Sequence, residues 1–184
     1  FTLPELEAAR EQGSAVTSEM ELFFEFCPCK IYGITGSDGK TTTTSVIAEF
    51  LQAAGKTVHL GGNIGKPLFP QLETIRPDDV AVAELSSFQL ISMRRSPDVA
   101  VVTNVSPNHL DIHKDMDEYV WSKMNVFLHQ NAFGKAVFNE DNEITLSFVP
   151  EARGQALTFS RQKKVRNGTW VDDDGFIWMN DTRV

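Results

Sequence analysis

The chain has 184 residues, 41% of them hydrophobic, which is enough to bury one substantial core. Its net charge of -8, with one short basic run at 161–166, argues against a nucleic-acid or anionic-membrane surface. No apolar run approaches the roughly 20 residues that span a bilayer, and no leader pattern opens the chain, so we expect a soluble, cytoplasmic protein.

The first thirty residues predict two short helices, over residues 3–12 and 16–26, followed by Cys27-Pro28-Cys29. The two cysteines are too close in sequence for an ordinary structural disulfide, and they lack the partner pairs that a zinc site needs. We expect residues 1–29 to be a linker or the tail of a preceding domain.

From Lys30 the pattern alternates between apolar strands and helices. It predicts strands at 31–35, 57–60, 80–85, 99–103 and 135–138, and helices at 40–54 and 117–130. The runs at 80–85 and 99–103 are apolar on both faces, which is typical of parallel strands covered by helices on each side. The predicted core is therefore an α/β domain with a mostly parallel sheet flanked by helices.

The pattern changes after Pro150 to short alternating segments. QALTFS (155–160) and the segment 164–180, with its Asp174-Gly175 turn, predict antiparallel strands and a hairpin. We expect them to form a small antiparallel β appendage on the domain.

The turn after the first strand has the composition of a phosphate-binding loop. Its glycines let backbone amides close around phosphate oxygens, Lys40 can reach the terminal phosphates of ATP, and the Thr41 hydroxyl can hold Mg²⁺. The strict P-loop pattern requires its first glycine at position 34, where this chain has Ile34, whereas Gly33 lies one residue early. The predicted nucleotide-binding residues are Gly36, Ser37, Asp38, Gly39, Lys40, Thr41 and Thr42.

Polar side chains follow other predicted strands at the same sheet edge. Glu84 ends an apolar strand, where a carboxylate can coordinate Mg²⁺. His109 and Asp111 follow the strand at 99–103, and His109 is a candidate metal or substrate ligand, whereas His59, His113 and His129 are interpreted as structural. Asn63 lies in the glycine-rich segment 61–65, which permits close backbone approach to a ligand but is equally explained as a simple turn.

Lys123 lies in the middle of a predicted helix, next to apolar positions. Residue chemistry alone predicts a surface lysine, whose methylene groups pack along apolar neighbours while its amine reaches water.

Taken together, several segments resemble the Mur ligases, the ATP-dependent amide-forming enzymes of peptidoglycan precursor synthesis. The resemblance covers essentially the whole chain and rests on ITGSDGKTTTT (34–44), GGNIG (61–65), ELSSFQL (84–90), NVSPNHLDIHKDMDEY (104–119) and NEDN (139–142). The SSFQ stretch discriminates best among the members of the family, since those that add other amino acids carry different residues there. It resembles the stretch found in the members that join D-glutamate to UDP-N-acetylmuramoyl-L-alanine through an acyl phosphate.

The resemblance implies roles for individual residues. Lys40 and the loop amides would hold the ATP phosphates, and Thr41, Glu84, His109 and Lys123 would serve the Mg²⁺ ions, Lys123 as the carbamylated lysine of this family. Asn63, Ser86, Ser87 and Gln89 would contact substrate. Lys40, Lys123 and His109 are thus the predicted catalytic residues. Asp38 departs from the family, which more often has Asn there, so its carboxylate should point away from phosphate or meet metal.

The resemblance further implies that residues 30–184 are a central ATP-binding domain, incomplete at its C-terminal end, with a uridine-nucleotide domain and an amino-acid-binding domain absent from this chain. Such a fragment is expected to be inactive alone. Two alternatives stay open at this point. One is a sister enzyme, another Mur ligase or a folylpolyglutamate synthase, and the other is a non-catalytic nucleotide-binding module.

Overall fold

A computed structural model of the protein describes residues 3–107 and 113–184, and these residues form a nine-stranded sheet. In chain order the strands are β1 (Lys30–Thr35), β2 (Val58–Gly62), β3 (Val80–Glu84), β4 (Val99–Val102), β5 (Lys135–Asn139), β6 (Gln155–Ser160), β7 (Gly168–Val171), β8 (Ile177–Met179) and β9 (Thr182–Arg183). Their order across the sheet is β2-β3-β1-β4-β5-β6-β7-β8-β9. All pairs from β2 to β7 are parallel, which confirms the predicted α/β fold.

The same residues form helices α1 (Pro4–Glu11), α2 (Glu19–Phe26), α3 (Lys40–Ala53), α4 (Ser87–Leu90), α5 (Met116–Leu128) and α6 (Glu143–Leu146), with short 3-10 helices at Phe69–Glu73 and Val149–Glu151. Helix α5 begins where the Asp115 carboxylate accepts a hydrogen bond from the amide of Glu118. Acidic residues in its first turn interact favourably with the partial positive charge at the start of the helix. Over the described ranges, no helix has the length and apolar character needed to cross a bilayer.

Helices cover both faces of the sheet. On one face, Ala48 of α3 packs with Ile34, Val82 and Val101 of three adjacent strands. On the other face, α2 and α5 contribute to a larger buried cluster that includes Phe23 and Phe127. Because the central strands are buried on both faces, they read as continuous apolar runs in the sequence.

Strand β1 lies at the centre of the parallel sheet, between β3 and β4. The chain leaves β1 towards the β2 edge, returns through β3, and then continues on the other side of β1 with β4. The loops after β1, β3 and β4 therefore meet at the carboxyl edge, at the point where the strand order reverses. Ligands of open parallel sheets bind at such a point.

The predicted antiparallel appendage is confirmed only in part. Strands β7 and β8 form the expected hairpin around Gly175, and β9 continues it in antiparallel fashion. The expectation for 155–160 was wrong, because β6 pairs in parallel with β5 and β7 pairs in parallel with β6. The β6–β7 ladder is only three residues long on β6, from Thr158 to Ser160, so a short return segment is enough to bring the chain back in the same direction.

The structure also explains the irregular spacing of the phosphate-loop pattern. Ile34 is fully buried in β1, and the strand continues to Thr35, so the loop begins only at Gly36. Gly33 is required for packing, because a Cβ atom there would lie 2.6 Å from Cγ of Pro97. The glycine at position 33 thus belongs to the sheet rather than to the loop.

Candidate functional site at the carboxyl edge of the sheet

The loop between β1 and α3 is held by the end of the neighbouring strand β4. The amide of Ser37 donates to the carbonyl oxygen of Asn104 (2.9 Å), and the amide of Asp38 donates to Asn104 Oδ1 (2.9 Å). In the other direction, Thr103 Oγ1 and Asn104 Nδ2 donate to the Asp38 carbonyl oxygen at 2.7 and 3.0 Å. These reciprocal bonds fix the path of the loop.

A buried hydrogen-bond network attaches the loop to helix α5. Ser37 Oγ donates to the carbonyl oxygen of Ser106 (3.0 Å) and accepts from its amide (2.9 Å). The same oxygen lies 2.9 Å from the Tyr119 hydroxyl. Burial raises the pKa of that phenol, so it stays protonated at neutral pH.

Two lysines meet at one carbonyl group of the loop. Lys40 Nζ donates to the carbonyl oxygens of Gly36 (3.0 Å) and Ser37 (2.9 Å), and Lys123 Nζ donates to that of Gly36 (2.8 Å). Lys123 is only 2% exposed, and its amine lies 4.6 Å from the centre of the Tyr119 ring. Burial, reinforced by the charge of Lys40, lowers the pKa of Lys123 to about 7. The surface role expected for Lys123 from residue chemistry alone was wrong.

A buried carboxylate joins the loop to the end of β2. Glu84 is 1% exposed, and its Oε2 accepts from Thr41 Oγ1 (2.7 Å) while its Oε1 accepts from Asn63 Nδ2 (2.9 Å). The amide of Asn63 also donates to the Glu84 carbonyl oxygen (2.8 Å). The glycines at 61 and 62, expected in a loop, belong to β2 itself.

The segment after Glu84 is organised by its own side chains. Gln89 Oε1 accepts from the amide and the hydroxyl of Ser86, both at 3.0 Å, and Ser86 Oγ accepts from the Gln89 amide at 3.2 Å. This reciprocal pair is a capping box, which closes the start of α4. The next residue, Ser87, is buried and its Oγ lies 2.9 Å from Nε2 of His113.

A small cavity of about 180 Å³ opens between these elements, and its lining residues are Lys40, Asn63, Ser86, Ser87, Phe88, Tyr119 and Lys123. Four of the predicted site residues besides Lys40 thus face one space: Asn63, Ser86, Ser87 and Lys123. Glu84 lies next to this cavity, because it accepts hydrogen bonds from Asn63, which lines the cavity, and from Thr41 in the first turn of α3. Thr42 is exposed on that same turn.

His109, the proposed catalytic and metal-binding histidine, lies outside the described residues, as does Asp111. Asp38 is exposed, with its backbone used by the loop anchors, and its charge acts against the lowering of the Lys123 pKa.

The arrangement fits a nucleotide phosphate and a magnesium ion. Gly39 begins α3 with a left-handed backbone (φ 75°), and a Cβ built there would meet nothing within 4 Å, so the first turn of α3 is open to a ligand. The first amides of a helix have no partners within it, and they attract anions. Thr41 and Glu84 supply the hydroxyl and carboxylate oxygens that Mg²⁺ prefers.

Some participants were not singled out from the sequence. Tyr119 and Asn104 were noted only as members of the segment 104–119 that resembles the family, and Thr103 only as the end of a predicted strand. His113, interpreted as structural, is buried and bonded to two polar side chains, Ser87 Oγ and Glu118 Oε1. The spacing Ser86-x-x-Gln89 is a capping signal that could have indicated how α4 begins.

Comparison with known proteins agrees with this geometry. Residues 34–175 match the family described as Mur ligase middle domain. The chain is 52% identical over 180 residues to UDP-N-acetylmuramoylalanine–D-glutamate ligase of Acetivibrio thermocellus, covering 98% of this chain and 39% of the relative. It is 53% identical over 171 residues to the enzyme of the same name from Clostridium kluyveri, covering 93% of this chain and 37% of the relative. The chain thus spans about two fifths of the length of these relatives.

Solved structures show the same fold at low sequence identity. A crystal structure of MurF from Acinetobacter baumannii superposes with a TM-score of 0.63 at 21% identity, over 81% of this chain and 34% of that one. UDP-N-acetylmuramate:L-alanyl-gamma-D-glutamyl-meso-diaminopimelate ligase from Neisseria meningitides gives 0.67 at 18% identity, over 97% of this chain and 61% of that one. Since the family match extends over more than half of the chain and includes the loop, Glu84 and Lys123, the chain belongs to the Mur ligase family.

Proposed function

We propose that this chain provides the ATP-binding domain of a ligase that joins D-glutamate to UDP-N-acetylmuramoyl-L-alanine in peptidoglycan precursor synthesis. The observation that carries the proposal is the meeting of Lys40, Lys123 and Asn63 at one cavity, beside the Thr41–Glu84 pair. The relatives that are about half identical over nearly the whole chain are named for that reaction. Because ATP is the phosphoryl donor, a cytoplasmic location is part of the proposal.

The nucleotide would lie across the first turn of α3. The Ser37 and Asp38 amides already donate to Asn104, so phosphate oxygens would be held by the amides from Gly39 to Thr42 and by the amine of Lys40. Thr41 and Glu84 would hold Mg²⁺, with His109 serving a second ion. The ion would offset negative charge on the transferring phosphoryl group.

Lys123 would act as a carbamate, and its environment supports this chemistry. Its pKa of about 7 leaves a large share of the amine uncharged at neutral pH, and only the uncharged amine has the lone pair that attacks carbon dioxide. A bond forms between Nζ and the carbon, and one N–H proton leaves to solvent. The product carries a negative charge where the free amine was positive, and it would face the metal beside Lys40.

Substrate would occupy the space next to Asn63. Asn63 would contact the alanine end of UDP-N-acetylmuramoyl-L-alanine, and Ser86, Ser87 and Gln89 would shape the surrounding segment. In the reaction, a carboxylate oxygen of that substrate attacks the γ-phosphorus of ATP, and ADP leaves. The amine of D-glutamate then attacks the carbonyl carbon of the acyl phosphate, and inorganic phosphate leaves. Positioning and charge stabilisation by Lys40 are the contributions expected of the protein.

Nucleotide binding can be tested on this chain directly. Isothermal titration with ATP and MgCl₂ should show binding that Lys40→Ala weakens by at least tenfold, which corresponds to about 1.4 kcal/mol. Lys56→Ala, at an exposed lysine beyond the end of α3, is the matched control and should bind as the parent does. Equal affinities for Lys40→Ala and the parent would reject the proposed phosphate site.

The ligation reaction needs a chain as long as the relatives. A suitable protein is a chimera in which this chain replaces the matching 180 residues of the Acetivibrio thermocellus enzyme. We expect phosphate release that depends on both D-glutamate and UDP-N-acetylmuramoyl-L-alanine. A folded chimera that prefers another amino acid would favour a sister ligase, and one whose function survives both Lys40→Ala and Glu84→Ala would favour a non-catalytic binding module.

A further inference from the structure

Three polar side chains, joined by hydrogen bonds, lead away from the cavity. Ser87 Oγ lies 2.9 Å from Nε2 of His113, and Nδ1 of the same ring lies 3.2 Å from Oε1 of Glu118. These are the distances and the order of a hydroxyl, an imidazole and an orienting carboxylate in nucleophile–base arrangements. Ser87 belongs to α4, His113 precedes α5, and Glu118 lies in the first turn of α5.

The carboxylate decides which ring nitrogen carries the proton. Glu118 accepts a hydrogen bond from the amide of Lys114 (3.1 Å), and this bond, with that of His113, lowers the pKa of the carboxyl group. An ionised carboxylate can only accept, so Nδ1 of His113 must donate to it. Nε2 of a neutral ring then has a free lone pair, and the Ser87 hydroxyl donates to it.

The imidazole ring is also fixed in orientation. It stacks on the Phe88 ring, with centroids 5.2 Å apart and an interplanar angle of 4°. It also contacts the Tyr119 ring in an edge-to-face arrangement, with centroids 5.2 Å apart and an interplanar angle of 61°. Its side chain is completely buried. The ring therefore holds the Ser87 hydroxyl in one direction and cannot swing into solvent.

The two ends of this hydrogen-bonded series, Ser87 and Glu118, lie in different environments. Ser87 is 3% exposed and lines the cavity with Lys40, Asn63 and Lys123, whereas the Glu118 side chain is 29% exposed. A proton accepted at the cavity can therefore pass to a site that reaches solvent.

We propose that Ser87, His113 and Glu118 form a proton relay that deprotonates the amine attacking the acyl phosphate. This inference rests on the ligase reaction proposed above and adds its proton acceptor. The Ser87 hydroxyl accepts a proton from the amine nitrogen while it gives its own to Nε2 of His113. The imidazolium is stabilised by the Glu118 carboxylate, and the proton then leaves to solvent.

Several groups of the described residues lie near this relay. Lys40 and Lys123 line the cavity from α3 and α5, the Tyr119 ring packs on the imidazole from α5, and Lys114 contributes only its backbone amide to Glu118. Ser87 lines the cavity, and because its hydroxyl proton is donated to His113, its oxygen is left as an acceptor. An N–H donor, as in an amine, is the ligand that this oxygen fits.

The experiment separates the two halves of the reaction in the chimera. Hydroxylamine traps the acyl phosphate as a hydroxamate, and because it is uncharged near neutral pH it needs no proton removed before it attacks. His113→Gln keeps an amide oxygen that accepts from Ser87 but takes up no proton. We expect it to form hydroxamate within about threefold of the parent rate, while D-glutamate ligation falls by about 100-fold or more, as expected for loss of a general base.

Glu118→Gln should show the same division to a smaller extent, because Glu118 is a positioning residue. His129→Asn, at an exposed histidine outside the site, is the matched control and should leave both rates unchanged. Equal losses of hydroxamate and amide in His113→Gln, or no loss of either product, would reject the relay. Absence of hydroxamate in the unsubstituted chimera would instead reject the proposed ligase reaction.

Discussion

Lys40 and Lys123 donate hydrogen bonds to the same atom, the carbonyl oxygen of Gly36, although they lie on different helices. Two ammonium groups this close repel each other, and this repulsion adds to the effect of burial in lowering the pKa of Lys123. The loop carbonyl is thus a point where a cation and a readily neutralised amine are held side by side. Replacing a proton on Lys123 with carbon dioxide would relieve that repulsion.

The lowered pKa of Lys123 should appear in the pH dependence of stability. Between its folded value of about 7 and its ordinary value of 10.5, the unfolded chain binds more protons than the folded chain. Stability contributed by this group must therefore rise as the pH rises from 7. Urea denaturation in carbon-dioxide-free buffer should show a smaller rise from pH 7 to 8 for Lys123→Met than for the parent. Equal slopes would show that the lysine is charged in the folded protein.

Two glycines of the loop should respond very differently to substitution by alanine. At Gly36 (φ 152°) a Cβ atom would lie 1.9 Å from Thr103 Oγ1, so Gly36→Ala must displace the end of β4. At Gly39 the added atom meets nothing, and only the left-handed backbone is unfavourable, by about 1–2 kcal/mol. We expect Gly36→Ala to lower the free energy of unfolding clearly more than Gly39→Ala in urea denaturation. The reverse order would contradict the described loop.

Ser37 should matter for stability beyond its size. Its hydroxyl bonds to the backbone of Ser106 and lies beside the Tyr119 hydroxyl in a buried position. Ser37→Ala leaves buried partners unsatisfied, for which we expect a loss of about 1–3 kcal/mol in the free energy of unfolding. Ser92→Ala, at an exposed serine, is the control and should change it little. Indistinguishable curves for the two variants would contradict this network.

The two cysteines should be unreactive in the folded protein. Burial raises the pKa of both thiols, that of Cys29 to about 12, and the sulfur atoms lie 3.5 Å apart as free thiols. Since the thiolate is the nucleophile, iodoacetamide at pH 8 should label neither residue in native protein and both in urea, as followed by mass spectrometry. Rapid native labelling of Cys29 would show that the thiol is neither buried nor protonated as described.

The sequence was most informative where chemistry and secondary structure are local. The succession of β1, a glycine-rich turn and α3 is visible in consecutive residues, and so is the carboxylate of Glu84 at the end of an apolar strand. By contrast, β6 pairs with its two neighbours in sequence, β5 and β7, and the alternation of short strands favoured an antiparallel arrangement where the structure has a parallel one. Strand pairing is set by tertiary contacts that no local pattern records.

The burial of Lys123 shows the same limit at the site. A lysine among apolar helix neighbours is ordinarily extended to water, and only the approach of the loop carbonyl at Gly36, 87 residues away in sequence, gives the amine a buried partner. Resemblance to a family singled out this residue where residue chemistry did not. The pairing of Ser87 with His113 has the same origin, because 26 residues separate them.

The bracing of the loop by Asn104 has a consequence for how fast and how tightly a nucleotide can be captured. The amide and the carbonyl of Asp38 are both hydrogen-bonded to the Asn104 side chain, just after β4, so the conformational entropy of this loop is lost when the protein folds rather than when ligand arrives. A receptor prepared in this way loses less freedom on association. Weakening the brace with Asn104→Ala would shift that entropic cost onto the encounter with ATP.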